Sequence, residues 1–291
     1  MILENGQIKL EVSDHGAEPT SLVFEGREYL WQADPAFWKR HAPILFPIVG
    51  QVYDKTYRTP RGEFHLGQHG FARDREFTPG TVPGEWSLAW DEESLKVYPY
   101  KFLLTAKYTL NDRTVEIEWT VKNVDTEDIF FSIGAHPAFN YPDFNPEDEI
   151  HGYMRFFDKN GAEVHPKPTS VIEKGFRVDA VAALPLECPW PVGKYSFDLD
   201  AVLMEGSQVY STLLLDKNQK PVLKVSSESP ALGIWSPDGQ NAPFVCIEPW
   251  KGITDRLEYS GQFADKDLVE RLAPGESRTF RYDITVLRGD N

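Results

Sequence analysis

The feature that most constrains the fold of this chain is a series of short segments in which polar and apolar residues alternate. Clear examples are residues 7–12 (QIKLEV), 102–110, 114–121 (TVEIEWTV) and 279–287 (TFRYDITVL). Alternation with a period of two is typical of strands that bury one face. Turn-forming pairs with glycine separate the segments, and 22 Pro and 21 Gly leave little room for long helices. We therefore predict an all-β protein, a large antiparallel β-sandwich with a few short helices.

Two segments favour short helices. Residues 34–40 (DPAFWKR) begin with an aspartate in the N-cap position and a proline at the first helical position. Residues 265–272 (DKDLVERL) are compatible with a short amphipathic turn. No internal repeat and no linker rich in Gly and Ser divides the chain. Since a large sandwich often reaches this length as one unit, we expect residues 1–291 to form a single domain.

The charge balance excludes two classes of partner. Asp and Glu number 45 against 30 Lys and Arg, which gives a net charge of −15. Such a field repels nucleic acid and anionic membrane surfaces, but one basic pocket would still admit a phosphorylated small molecule. The N-terminus shows no secretory signal pattern, and no stretch has the length of a membrane-spanning helix. With only two, widely separated cysteines, the chain is expected to be a cytoplasmic protein without disulfides.

Three segments place ionisable side chains among glycine, proline or aromatic neighbours. They are residues 67–73 (GQHGFAR), 133–140 (IGAHPAFN) and 244–250 (FVCIEPW), and they contain the side chains of His69, His136 and Glu248. A single histidine in a β protein is more often structural than catalytic. A glutamate at the end of an apolar strand is either ion-paired or held buried for its chemistry. The residues alone leave these alternatives open.

Other site types find no support in the sequence. Two histidines and a glutamate offer ligands for zinc, but the HExxH spacing is absent, so we predict no metal. The glycine-rich nucleotide motifs and the GxSxG motif of hydrolases are also absent. No cofactor is expected.

Four blocks in order carry a resemblance to a known family. They are LWQADPAFWKRHAPILFPIVG, QHGFAR, GAHPAFN and CIEPW, and from the first to the last they extend over about three-quarters of the chain. In this combination the chain resembles the aldose 1-epimerase (mutarotase) family, and it is most similar to its LacX-like branch. The resemblance implies the galactose mutarotase-like supersandwich, no cofactor, and a sugar as substrate, whose α and β anomers the enzyme would interconvert.

The resemblance also implies roles for individual residues. The histidine of the GAHPAFN block, His136, would be the general acid, and Glu248 would be the general base. His69 would hydrogen-bond the sugar near its ring oxygen, and Arg73 would orient the substrate. The remaining expected sugar contacts are Gln51, Asn140, Phe139 and Trp250; for the two aromatic residues, a purely structural place in the core is the alternative.

Two departures from the family pattern concern substrate choice. The family's GRxxNR segment corresponds here to residues 50–53 (GQVY), so its arginine is missing and Gln51 or Arg73 would replace it. The family's substrate-holding aspartate falls near residues 205–208 (EGSQ), which contain none. A non-catalytic sugar-binding or sensor protein on the same fold is therefore one alternative.

The second alternative is a mutarotase for hexose 6-phosphates, which would need a basic cluster for the phosphate. The candidates for that cluster are Arg58, Arg61, Arg73 and Arg75, with Lys39 and Arg40 nearby. The sequence does not indicate which sugar is bound or the oligomeric state.

Overall fold

The computed structural model describes residues 1–173, 175–179, 184–198 and 200–287. Within these residues the chain is mostly strand. The strands, in chain order, are β1 (Ile2–Glu4), β2 (Ile8–Val12), β3 (Pro19–Phe24), β4 (Arg27–Glu28), β5 (Ile44–Leu45), β6 (Thr56–Thr59), β7 (Gly62–His65), β8 (Thr78–Pro79), β9 (Glu85–Ala89), β10 (Phe102–Asn111), β11 (Thr114–Asn123), β12 (Ile129–Phe131), β13 (Ile133–Ala135), β14 (Ala138–Asn140), β15 (Ile150–Phe157), β16 (Glu163–Val164), β17 (Ser170–Glu173), β18 (Phe176–Asp179), β19 (Trp190–Gly193), β20 (Val202–Glu205), β21 (Ser211–Leu215), β22 (Pro221–Ser227), β23 (Ala231–Trp235), β24 (Phe244–Lys251), β25 (Glu270–Leu272) and β26 (Ser277–Val286).

Two large antiparallel sheets dominate the architecture. The ten-stranded sheet has the order β16-β15-β21-β22-β26-β11-β10-β9-β8, with β19 paired to β15. The eight-stranded sheet has the order β18-β17-β20-β23-β24-β13-β5, with β14 paired to β24. Strands β1 to β4 form a four-stranded sheet, and β6-β7 and β12-β25 are two-stranded. The predicted all-β antiparallel sandwich is confirmed.

The alternating segments form strands close to where the sequence predicts them. Strand β2 begins one residue later than the predicted segment, and β11 continues to Asn123. Strands β10, β11 and β26 are each ten residues long and pair in sequence around the centre of the ten-stranded sheet. Their burial alternates along most of their length, because one face packs on the core.

Both helix predictions are wrong. Residues 34–40 form one turn, in which the Asp34 carboxylate accepts a hydrogen bond from Ala36 N–H and no helix follows. Within residues 265–272, the last three residues instead form β25, because pairing with β12 buries Leu272. The α-helix of the described chain is α1 (Glu92–Val97), and 3₁₀ turns occupy Tyr53–Lys55, Ala72–Asp74 and Phe263–Asp265.

Helix α1 has a local signal that the search for apolar periodicity missed. Asp91 and Ser94 form a reciprocal capping box, in which Asp91 Oδ1 accepts from Ser94 N–H and Ser94 Oγ accepts from Asp91 N–H. The helix is only six residues long, too short to show a clear apolar stripe.

The main hydrophobic core lies between the two large sheets. It contains Ile117 of β11 together with Val245 and Ile247 of β24, so strands of both sheets contribute to it. The alternate residues of β24 face the opposite side, where Phe244 and Cys246 belong to a separate buried cluster. Strand β24 is therefore buried on both faces, which explains its continuous apolar sequence. No helix among the described residues has the length and apolar character needed to cross a bilayer.

Candidate active site

A cavity of about 470 Å³ lies on the side of the eight-stranded sheet that faces away from the main core. Its volume is within the usual range for small-molecule sites. The residues that line it are Phe37, Trp38, Gly50, Gln68, His69, Arg73, His136, Gly175, Asp200, Ala201, Trp235, Pro237, Asp238, Gln240, Glu248, Trp250 and Thr254. The cavity thus brings together His69, Arg73, His136, Glu248 and Trp250, which the sequence had placed in separate segments.

Sheet register places His136 opposite Glu248. Strands β13 and β14 both pair with β24, with Gly134 opposite Trp250 and Ala138 opposite Cys246. His136 lies midway between Gly134 and Ala138, and Glu248 lies midway between Trp250 and Cys246. The same antiparallel register therefore places His136 opposite Glu248. Directly opposed residues in antiparallel strands project from the same face. The pair is therefore a consequence of strand pairing between segments more than 100 residues apart.

The two side chains are in contact and almost completely buried. His136 Nε2 and Glu248 Oε2 are 3.2 Å apart, and the side chains are 8% and 1% exposed. The orientation is poor for a hydrogen bond, and Glu248 Oε2 has no hydrogen-bond partner. Opposite Glu248 on β23 lies Gly233, which adds no side chain beside the carboxylate. A buried carboxylate oxygen without a donor is costly and is a common mark of a functional site.

Burial shifts the pKa values of Glu248 and His136 in opposite directions. Desolvation raises the pKa of the Glu248 carboxyl well above its usual value, and the nearby Asp200 adds to this effect. Desolvation, with a further contribution from Arg73, lowers the pKa of His136 to about 3. Between these limits the pair holds a single proton in total, which the two shifts place on the Glu248 carboxyl in the sugar-free cavity. A pair of this kind can accept a proton at one atom while it donates a proton from the other.

His69 is held in one tautomer. It lies between β7 and the 3₁₀ turn at Ala72–Asp74, with a positive φ of 63°. Its Nδ1 accepts a hydrogen bond from Gly50 N–H at 3.0 Å, so in the neutral ring the proton lies on Nε2. Burial, with the charges of His136 and Arg73, lowers the pKa of His69 well below the usual value. His69 is therefore a neutral hydrogen-bond donor at the cavity wall.

The glycines around His69 permit close backbone approach, as the sequence indicates. Gly70 has φ +69°, and a Cβ there would lie 2.2 Å from the carbonyl oxygen of Phe46. Gly50 has φ +70°, and a Cβ there would lie 2.3 Å from Cβ of Thr254. Both positions require glycine on conformational and steric grounds.

Arg73 is the one cationic side chain among the described residues that line the cavity. It donates a hydrogen bond to the carbonyl oxygen of Gln68 at 2.6 Å, while its buried Nε has no hydrogen-bond partner and lies 3.9 Å from Asp74 Oδ2. Burial, together with the nearby guanidinium of Arg40, lowers the pKa of Arg73 to about 10. Its guanidinium is thus positioned at the cavity with donor capacity to spare.

Aromatic rings form much of the cavity wall. Trp38 stacks on the His136 ring, with centroids 4.7 Å apart and planes at 26°, and Trp235 meets the same ring edge-on at 5.4 Å. Trp250 packs over two glycines, since a Cβ on Gly134 would lie 2.7 Å from its ring and one on Gly233 would lie 3.1 Å from it. Trp38 and Trp235 fix the orientation of His136, and the three rings give the cavity apolar surfaces.

The structure adds an aspartate that the sequence analysis did not find. Asp200 precedes β20 and lines the cavity, and burial raises the pKa of its carboxyl, as does the nearby Asp238. The rough sequence placement of this function at residues 205–208 is not supported, because Glu205 pairs with the buried Arg177. The sequence around Asp200 contains no motif. Asp200 is identified as a cavity residue by its position just before β20.

Three of the expected sugar contacts lie elsewhere. Phe139 is fully buried in the main core, because it alternates with Ala138, which faces the cavity side. The amide of Asn140 donates to the carbonyl oxygens of Glu28 and Leu30. The side chain of Gln51 packs against Gly175, where a Cβ would lie 2.2 Å from Nε2. None of the three is among the described residues that line the cavity.

The basic cluster considered for a phosphate does not assemble at the cavity. Arg61 binds Asp125 and Glu127, Arg58 pairs with Glu63, and Arg75 pairs with Asp91. Arg40 lies near Arg73 but pairs with Asp74 at 2.8 Å. Arg73 alone of the four candidate arginines lines the cavity.

A buried ionic pair supports the wall that holds Gly50. Lys266 Nζ donates to the carbonyl oxygen of Ile253 and to Asp255 Oδ1, each at 2.5 Å, and Lys266 and Asp255 are each 3% exposed. Asp255 Oδ2 accepts from Tyr53 N–H at 3.0 Å, and Thr254 Oγ1 accepts from Gln51 N–H at 3.0 Å. The segment that follows Gly50 is thus anchored to a charge pair beneath the cavity.

Comparison with known proteins assigns the family of this architecture. A sequence profile of the aldose 1-epimerase family matches residues 1–285. The plasmid-encoded protein LacX of Lactococcus lactis subsp. lactis is 32% identical over 303 aligned positions, which cover 98% of each chain.

Two solved structures extend the comparison to the fold. The galactose mutarotase related enzyme of Lactobacillus acidophilus is 30% identical, with a TM-score of 0.86 over 99% of this chain and 97% of that one. A galactose mutarotase-like protein of Lactobacillus casei is 26% identical, with a TM-score of 0.89 over 99% of both chains. The resemblance seen in the four sequence blocks is confirmed.

Proposed function

The chain belongs to the aldose 1-epimerase family, and on that premise we propose that it interconverts the α and β anomers of a free hexose. The observation that carries the proposal is the contact between His136 Nε2 and Glu248 Oε2, 3.2 Å apart, at a cavity of about 470 Å³. A paired acid and base in such a place fits a reaction in which two protons move at neighbouring oxygen atoms. No cofactor is required for that chemistry.

The proposed reaction begins with ring opening. Glu248 takes the proton of the C1 hydroxyl, the O1–H electrons form the C1 carbonyl, and the C1–O5 bond breaks. The electrons of that bond take a proton from His136 at O5. After rotation about the C1–C2 bond, the ring closes on the other carbonyl face as both transfers run in reverse. Each well-placed acid or base contributes about 10² to 10⁴ in rate, so the pair suffices without a metal.

The proton count of the pair supports this scheme. Ring opening removes one proton from the sugar and returns one, so the pair carries one proton before and after each step. The opposed pKa shifts of Glu248 and His136 favour a one-proton state over a wide range of pH and place that proton on Glu248 in the sugar-free cavity, so the scheme requires its transfer to His136 when the sugar binds. A sugar between the two groups would separate them and supply the hydrogen bonds that Glu248 Oε2 lacks.

The other cavity residues suit a polyhydroxylated ring. His69 offers a fixed N–H donor, Arg73 offers further donors, and Asp200 offers a carboxylate acceptor. Trp38 and Trp250 provide apolar surface for the C–H face of the sugar.

Charge favours a neutral sugar over a hexose 6-phosphate. The described residues that line the cavity include the acidic side chains of Asp200 and Asp238 and the His136–Glu248 pair, which has no net charge with one proton, against the single guanidinium of Arg73. The nearby Arg58, Arg61 and Arg75 have acidic partners of their own. A phosphate dianion in this acidic cavity would have Arg73 as its one cationic partner. Strong phosphate sites use several charge-assisted donors.

Polarimetry of freshly dissolved α-D-glucose and α-D-galactose tests the proposal. The native protein is expected to accelerate the change in rotation, and Glu248→Gln and His136→Asn are each expected to lose about 10² to 10⁴ of that acceleration. Glu147→Gln, which changes an exposed glutamate, serves as the matched charge control and should retain the native rate.

The outcomes separate the three candidate functions. Acceleration with glucose 6-phosphate alone, lost in Arg73→Gln, would replace the proposal with the phosphosugar alternative. Binding of hexoses without acceleration of any of these sugars would favour the sugar-binding or sensor alternative. A Glu248→Gln variant with native activity would contradict the assignment of the base.

A further inference from the structure

Three side chains of different donor type converge at the cavity floor. Cys246 precedes Glu248 by two residues on β24, so both side chains project from the same face, and His136 lies opposite Glu248. One donor atom from each of His136, Cys246 and Glu248 lies within 4.8 Å of the other two. All three residues are buried, with Cys246 at 0% and Glu248 at 1% exposure.

This cluster is rich in electron-pair donors and poor in hydrogen-bond donors. Glu248 Oε2 and His136 Nδ1 are buried without hydrogen-bond partners. The indole N–H of Trp250 donates to the carbonyl oxygen of Ala135 at 3.2 Å and also acts on the Glu248 carboxyl, which still leaves Oε2 without a donor. Since buried polar atoms in folded proteins are nearly always paired, the unpartnered carboxylate oxygen, which a sugar hydroxyl would occupy in the proposed reaction, is open to a cation in the sugar-free protein.

We propose that His136, Cys246 and Glu248 form a binding site for a divalent cation of intermediate softness, for which Zn²⁺ is the reference ion. A nitrogen, a sulfur and a carboxylate oxygen form a donor set that suits Zn²⁺ and is unsuited to Mg²⁺ or Ca²⁺. Tetrahedral coordination at about 2.0 to 2.3 Å requires donor atoms about 3.5 Å apart. The three donor atoms, which lie within 4.8 Å of one another, would reach this spacing through side-chain shifts of about 1 Å.

The fourth coordination position would face the cavity, because His136 and Glu248 line it while Cys246 lies beneath. An open fourth position takes water or another oxygen ligand. The cavity also attracts cations, since Asp200 and Asp238 line it and the chain carries a net charge of −15.

Occupation of this site would exclude ring opening, a consequence that rests on the proposed function. A metal bound to Glu248 would occupy the lone pair that accepts the proton of the C1 hydroxyl. Bound to His136, it would displace the proton that this residue donates to O5. The ion would therefore act as an inhibitor that competes with sugar.

Metal binding can be measured without sugar, so its result is independent of the proposed function. Zn²⁺ is titrated into the protein against a chromophoric chelator, and Co²⁺ is then used as a spectroscopic probe. The native chain is expected to bind one Zn²⁺ and to give a thiolate-to-cobalt charge-transfer band with tetrahedral visible bands. Cys246→Ser should lose at least tenfold in Zn²⁺ affinity and lose the charge-transfer band.

The second cysteine provides a matched control. Cys188 is partly exposed, its thiol donates to the carbonyl oxygen of Val164, and it is not among the described residues that line the cavity. Cys188→Ser should keep the native affinity and the cobalt spectrum. Thermal melts and circular dichroism identify any Cys246→Ser preparation that fails to fold, and Cys246→Ala then takes its place.

Three results would overturn the proposal. They are the absence of stoichiometric Zn²⁺ binding by the folded native chain, a Co²⁺ spectrum without a thiolate band, and equal affinity in the Cys246 and Cys188 variants. Inhibition of anomer exchange by Zn²⁺, measured against each variant's own metal-free rate, should also weaken at least tenfold in Cys246→Ser. Inhibition that is unchanged in this variant would equally overturn the proposal.

Discussion

At the scale of single residues, the buried carboxyl of Glu248 links activity to stability. Its side chain is 1% exposed and no hydrogen-bond donor reaches its Oε2. The free energy of burying that charge is a cost which folding of the rest of the chain must offset. Residues that are unfavourable for stability and lie in a cavity are typical of sites where chemistry requires them.

Glu248→Gln is therefore expected to stabilise the protein at neutral pH. The pKa of Glu248 is raised in the folded state, so above its usual value of 4.5 the folded chain holds a proton that the unfolded chain has released. The contribution of this group to stability is full below pH 4.5 and is lost as the pH rises toward the folded pKa. The difference in Tm between variant and native protein should therefore grow from pH 4.5 upward.

Thermal melts across that range provide the measurement. Glu147→Gln removes one exposed negative charge and corrects for the change in net charge. A Glu248→Gln variant whose Tm advantage over this control is absent or decreases with pH would contradict the expected direction of the shift.

The shared proton of His136 and Glu248 sets the expected pH–rate profile. Because burial lowers the pKa of His136 to about 3, gain of a second proton should reduce kcat/KM only in strongly acidic solution. The alkaline limit is loss of the single shared proton, which the raised pKa of Glu248 moves to higher pH. We expect a broad plateau through neutrality, measured by polarimetry in buffers of constant ionic strength.

An acidic limb centred near 6.5, the ordinary histidine value, would indicate that His136 titrates independently of Glu248. His69 is not expected to produce such a limb, since its Nδ1 is occupied by the Gly50 N–H and burial lowers its pKa well below the usual value.

At the scale of elements, β24 is the strand on which the site depends. Its alternate side chains divide between two environments, with Val245 and Ile247 in the main core and Cys246 and Glu248 on the cavity side. A slip of one residue in its register would move Glu248 into the main core and Ile247 to the cavity. The glycines opposite Trp250 and Glu248 on β13 and β23 give the large indole the space that this register requires.

Lys266→Met tests the buried pair that anchors the loop after β24. The substitution would leave the Asp255 carboxylate, 3% exposed, with the Tyr53 N–H as its remaining donor from this network. Removal of one partner from a buried ion pair costs about 3 to 5 kcal/mol. Denaturant unfolding should show a loss of this size, and Asp255→Asn in the same background should recover part of it.

The matched control is Lys96→Met, which breaks a pair with Glu93 on the exposed surface of α1. Exposed pairs contribute little, so this variant should unfold close to the native midpoint. Equal destabilisation by the two substitutions would show that burial of Lys266 does not determine its contribution.

At the scale of the whole molecule, the core is continuous from end to end of the described chain. One cluster of buried residues includes Ile8 of β2, Phe102 of β10, Val245 of β24 and Val286 of β26. Strand β26, near the C-terminus, lies between β22 and β11 at the centre of the ten-stranded sheet. Loss of any part of the sandwich would therefore expose apolar surface in the rest.

This continuity supports the prediction that residues 1–291 form one domain. We expect a single unfolding transition in differential scanning calorimetry, with calorimetric and van't Hoff enthalpies in agreement. Two resolved transitions, or proteolytic fragments that retain independent melting, would contradict the single-domain prediction.

Much of the fold was predictable because its signals are local. Alternation over residues 114–121 identifies β11, and punctuation by glycine and proline excludes long helices. Local signals fail where a tertiary contact competes with them. Residues 270–272 follow a helical pattern, yet they form a strand because β12 offers a hydrogen-bonded edge and a buried position for Leu272.

The candidate site was predictable in part. The motif segments identify His69, Arg73, His136, Glu248 and Trp250, which the structure brings to one cavity, and their catalytic roles stay predictions. The same segments also suggested Phe139 and Asn140, which differ from cavity residues only in the direction that their side chains take from the strand. Neighbourhood in sequence does not determine that direction.

The sequence by itself determined the strand content, the family and the identity of the acid–base pair as a hypothesis. These depend on periodicity and on short motifs, which are properties of contiguous residues. Only the tertiary structure decided that His136 faces Glu248, that Asp200 joins them and that the pair is desolvated enough to share one proton. Register and burial arise from contacts between residues distant along the chain, and local sequence patterns carry no direct record of those contacts.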